Sequence, residues 1–158
     1  MTFARPFERV NADLKDLFES QRLQVCLNQN DEEFERLVFI GEPLMKLKIT
    51  EKLTSTYANF YEPHQLTKTR LQILDYNVLV DVYLQLERQQ VNDHPSKAVR
   101  FIHALFGELA TAPKPTDMSP EGQRKYAETN EKCNKTIDAL ASMIYHVYIA
   151  RSKQAPRQ

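Results

Sequence analysis

The sequence predicts an all-α fold. Three observations carry that expectation. Ala, Leu, Lys, Glu and Gln are plentiful, while 158 residues contain only 3 Gly and no Trp; such a composition favours helix over strand. Apolar residues recur at three- and four-residue spacing through most of the chain, the period of an amphipathic helix. No stretch of any length alternates polar with apolar residues, as a half-buried strand requires.

The helices follow in order. Phe7, Val10, Leu14, Leu17 and Phe18 mark a first amphipathic helix over residues 6–20, with Pro6 suited to its first turn. A short segment follows around Leu23, Val25 and Leu27. Asp31 is a cap for the next helix, and Glu32 and Glu33 are favourable in its first turn. That helix extends towards Tyr57. Its residues Leu37, Phe39, Ile40, Leu44, Met45, Leu47 and Ile49 cover more than one face, so it is expected to be central and buried. Pro43, close to Gly41, predicts a kink or break near residues 40–43.

Tyr61 to His64 reads as a turn. A long helical pattern runs from Leu66 to Gln89 through Leu71, Leu74, Val78, Leu79, Val82, Tyr83 and Leu86, and Asp75 and Asn77 are placed to split it in two. Residues 91–95 form a loop. Residues 96–110 form a helix with Val99, Ile102, Leu105 and Phe106 inward. Residues 112–117 are a linker rich in helix breakers. Ser119 and Pro120 start the last helix, which carries Tyr126, Cys133, Ile137, Leu140, Ile144, Val147 and Tyr148 on one stripe. The chain reads as one domain over residues 1–152 with a polar tail at 153–158.

Composition bounds the function. Lys and Arg total 21, Asp and Glu total 21, and the formal charge is zero. That argues against a broad basic face for nucleic acid, leaves room for a local patch, and favours protein partners. Cys26 and Cys133 follow no metal-ligand spacing and read as buried free thiols in a reducing compartment. No apolar run is long enough to span a bilayer, and no secretory signal is present. The N-terminus carries Arg5 and Arg9 beside Phe3 and Phe7. It reads either as a short mitochondrial presequence or as the start of the first helix; Glu8 and the acids after it weigh against the presequence.

Residues 35–45 read Glu-Arg-Leu-Val-Phe-Ile-Gly-Glu-Pro-Leu-Met. They resemble the signature helix of the ribonuclease III family, E-R-L-E-F-L-G-D-A-V-L. Leu66-Thr-Lys-Thr-Arg70 is similar to the family's L-T-K-x-R, and its polar letters are not demanded by packing. Ala104-Leu-Phe-Gly107 is similar to the A-L-I-G within the family's A-D-x-F-E-A-L-I-G-A. The three motifs occur in family order and cover roughly residues 30–110.

The resemblance implies a ribonuclease III-like helical endonuclease-domain fold; no double-stranded-RNA-binding domain is expected after it, since only a short tail follows Ser152. It also implies a lost chemistry. The family site holds Mg²⁺ with four acidic residues, and the metal activates water at the scissile phosphate. Placed on these motifs, the four positions are Val38, Glu42, Arg100 and His103. Val38 offers no ligand atom, and Glu42 is longer than the family aspartate. Arg100 stays protonated and repels a divalent cation by roughly 8 kcal/mol at about 4 Å and an effective dielectric of about 20. His103 adds positive charge when protonated. The expectation is no catalytic metal, no cofactor and no enzyme activity. A different register of the third motif offers Glu108 or Asp93 as a ligand. An Arg100–Glu42 ion pair is a further expectation, filling the vacated site.

Family members dimerise through facing signature helices, which implies a contact at Phe39, Leu44 and Met45; ordinary core is the other reading of Phe39. Lys46, Lys48, Lys52, Lys68 and Arg70 are candidates for phosphate contact, and each reads equally as part of a solvated helix face. Two roles follow. One is a non-catalytic, dimerising, structural subunit of a mitochondrial ribonucleoprotein, similar to inactive ribonuclease III-type proteins of the large ribosomal subunit. The other is the inactive partner in a heterodimeric ribonuclease III-type endonuclease of RNA processing or editing. An active homodimeric nuclease ranks well behind both. The expected partners are a ribonuclease III-like homo- or heterodimer mate and RNA, with no membrane. The expected location is the mitochondrion, otherwise the cytoplasm.

Overall fold

Helix-forming composition is realised throughout: the described residues form six α-helices and one 3-10 turn, and no strand. The structure is a computed structural model that describes residues 4–57, 62–86, 95–113 and 115–154. Residues 91–94 of the loop expected at 91–95, Asp93 among them, the end of the helical pattern at 87–89 and the tail from 155 lie outside these residues, while Pro95 already belongs to a helix. The helices are α1 (Ala4–Glu19), α2 (Glu32–Tyr57), α3 (Pro63–Ile73), α4 (Tyr76–Gln85), α5 (Pro95–Ala110) and α6 (Pro120–Gln154), with the 3-10 turn at Val25–Leu27. Among the described residues no helix is long and apolar enough to cross a membrane.

The helix boundaries have local causes. Gln21 ends α1 in the left-handed region at φ 62°. Asp31 accepts the Glu33 N–H at 2.9 Å ahead of α2, satisfying one of the donors a helix start leaves open. The helical pattern after residue 62 does split. Leu74 and Asp75 separate α3 from α4, and the Asp75 carboxylate accepts the Asn77 N–H at 3.1 Å. The turn expected through His64 is shorter than the sequence indicates, because Pro63 already occupies the first helical turn of α3, where it loses no hydrogen bond. Ser119 caps α6 by accepting the Gly122 N–H at 3.1 Å. α6 runs to Gln154, two residues into the span expected to be polar tail.

Two expectations about α2 are corrected. Of the kink or break expected near residues 40–43, the break is absent: the helix continues through Pro43. Pro43 sits on the exposed side, so the Phe39 carbonyl, which loses its helical donor, lies on the face towards solvent, where water can satisfy it. Nor is α2 buried all round. Phe34, Leu37, Met45, Ile49 and Leu53 point inward, while Phe39 and Leu47 are exposed. The sequence looks apolar on several sides because the outer face is itself apolar.

α2 packs most extensively on α5, and α6 touches all five other helices. The core is one cluster built from these elements. Cys26 and Cys133 are both buried and unbridged within it; burial, first of all, raises the Cys133 thiol above its ordinary value. The 3-10 turn is held to α5 by reciprocal capping. The Glu108 carboxylate accepts the N–H groups of Gln24, Val25 and Cys26 at 3.0–3.2 Å. Arg22 answers by donating to the carbonyls of Glu108, Leu109 and Thr111 at 3.0, 3.3 and 3.1 Å, among the acceptors that the end of a helix leaves short of donors.

Candidate functional site

α2 and α5 approach one another backbone to backbone, and two glycines permit it. A Cβ on Gly41 would lie 1.7 Å from the His103 carbonyl oxygen and 2.6 Å from the Gly107 nitrogen. A Cβ on Gly107 would lie 2.0 Å from the Leu37 carbonyl oxygen. Side chains beside these glycines are therefore brought into one neighbourhood. Val38 and Glu42 lie one turn apart on α2; Arg100 and His103 lie one turn apart on α5.

The charges there act on each other. His103 is half-buried, and burial is the main reason its imidazole is held below the ordinary 6.5. Glu42 pulls it up, while Lys46 and Arg100 push it further down. Glu42 pairs with Lys46 along its own helix at 3.2 Å. Arg100 pairs with Glu35, with its guanidinium 5.6 Å from the centre of the Phe34 ring. The expected Arg100–Glu42 pair is thus replaced by two separate pairs. Each cation has taken a nearer acid, Lys46 one turn along α2 and Arg100 across the helix crossing. Both pairs are largely solvated and contribute roughly 0–1 kcal/mol each.

These residues do not fit Mg²⁺, a hard cation that needs oxygen ligands. Val38 has no donor atom. Arg100 brings a fixed positive charge, and Glu42 is already engaged by an ammonium. Among the described residues no three His, Cys, Asp or Glu side chains are grouped so as to hold a metal ion. Glu108, the alternative ligand, is corrected as well: it is buried and committed to the amides of residues 24–26, and so is not open to bind metal. Asp93 lies outside the described residues.

The lowered imidazole has a consequence for pH. His146, half-buried on α6, is also held below 6.5, by burial first and then by Lys52 of α2. On acidification the unfolded chain therefore takes up protons before the folded one does. Stability from this source is complete above 6.5 and declines as pH falls through the lowered folded values. Urea unfolding at stepped pH should show His103→Gln with His146→Gln flattening that decline. An unchanged slope in the double variant would remove both imidazoles as its cause.

The three expected dimer residues part company. Phe39 is 81% exposed, Leu44 is half-buried, and Met45 is 1% exposed. Met45 is therefore a core residue and is withdrawn from the contact. Each helical step turns about 100°; residues 41, 45 and 49 follow the inward line, whereas 39, 43 and 47 follow the outward one. Leu47, 52% exposed, and Pro43 belong with Phe39. The spacing of four between Phe39, Pro43 and Leu47 was the signal that would have found them.

The structure places the basic candidates among partners of their own. Lys46 is paired with Glu42. Lys48 bridges α2 to α6 through Asp138 at 3.1 Å and also reaches Glu51 at 3.6 Å; the Asp138 hydrogen bond raises its ammonium above the ordinary value. Lys52 donates to Ser142 at 3.2 Å and lies 5.4 Å from the centre of the Tyr145 ring. Arg70 donates to Thr50 at 3.0 Å. Only Lys68 is an exposed cation with none of these attachments. No family model, curated protein or solved structure matches this chain.

Proposed function

We propose that this chain is a catalytically silent ribonuclease III-like domain, serving as a structural, dimerising subunit of a mitochondrial ribonucleoprotein of the large-ribosomal-subunit type. One observation carries the reading. Glu42 from the first motif and Arg100 from the third both bear on the His103 imidazole beside the Gly41–Gly107 crossing, which is consistent with a shared site. The residue types there oppose Mg²⁺. Retained packing letters beside altered ligand letters fit a fold kept for assembly.

The exposed stripe of Phe39, Pro43 and Leu47 on α2 supports the assembly part. Large apolar side chains gathered on one helix face are a feature of protein contacts. Phe39→Asp should leave stability within about 0.5 kcal/mol, because the side chain is already in water. The same change should release the chain from its native complex. Sedimentation and affinity capture of the variant measure both effects; a variant retained in the complex at the wild-type level places the contact elsewhere.

The functional test is capture of the native complex from mitochondria. Ribosomal RNA together with large-subunit proteins is the expected yield. An active ribonuclease III-like nuclease in their place would favour the inactive-partner role, for which the same apolar stripe serves equally well. Recovery of neither overturns the proposal.

A further inference from the structure

We draw no further inference here: the strongest candidate, the exposed apolar side of α4 formed by Tyr76 and Leu84, carries nothing, because nothing among the described residues shows what covers it.

Discussion

Gly41→Ala should destabilise the protein by about 3 kcal/mol or more. Intrinsic helix propensity predicts the opposite sign, since alanine is favoured over glycine by about 1 kcal/mol within a helix. The helix crossing decides the matter. The added methyl would sit 1.7 Å from the His103 carbonyl oxygen, against an ordinary separation of about 3.5 Å. Its neighbours are backbone atoms, which cannot rotate aside. α2 and α5 would have to separate, and the packing of Leu37, Ile102 and Phe106 in the core would loosen with them. Gly107→Ala meets the Leu37 carbonyl at 2.0 Å and should behave alike. Urea unfolding measures both variants. A wild-type or raised midpoint in Gly41→Ala is incompatible with the crossing described.

The second large effect is expected at Glu108. Its carboxylate accepts hydrogen bonds from three successive amides, and the one from Cys26 is buried. Hydrogen bonds to a charged group each contribute roughly 1.5–3 kcal/mol, and an abandoned buried donor costs the full desolvation of that group. Glu108→Ala leaves three N–H groups without their acceptor and removes an anchor of the 3-10 turn. A loss of about 3 kcal/mol is expected, together with faster amide exchange at residues 24–26. Glu108→Gln keeps one acceptor oxygen and should recover part of the loss. Unchanged exchange at those amides in Glu108→Ala would show that the carboxylate does not hold the turn.

Much of the fold was legible in the sequence. The helical periods of α1 and α6 place most of their buried residues, because there the apolar stripe is the one the core covers; α5 is buried on nearly every side, Phe101, Ala104 and Leu109 included, beyond the four inward positions its period marks. α2 was legible in extent and misread in environment. Periodicity reports where apolar side chains lie; whether a neighbour covers each side of the helix is a tertiary fact, so Met45 and Phe39 could not be told apart by residue type. Pro43 misled for a related reason: a proline's missing hydrogen bond matters less where water can reach the carbonyl, and exposure is not written in the local sequence. At the candidate site, motif letters pointed to Val38, Glu42, Arg100 and His103. They could not foretell which acid Arg100 takes, since Glu35 becomes a neighbour only through the angle at which the helices cross. Glu108 was least legible of all. It looks like an ordinary surface acid near a helix end, and its partners lie more than eighty positions earlier in the chain.

That long reach sets an order of events. Arg22 and the carbonyls it grips are separated by 86 to 89 positions, and closing so wide a loop is entropically unfavourable until the intervening chain has collapsed. The buckle between the two segments is thus expected to fasten after the local helix pairs have formed. α1 packs chiefly on α6, so a nascent polypeptide can dock its first helix only once the last one has emerged.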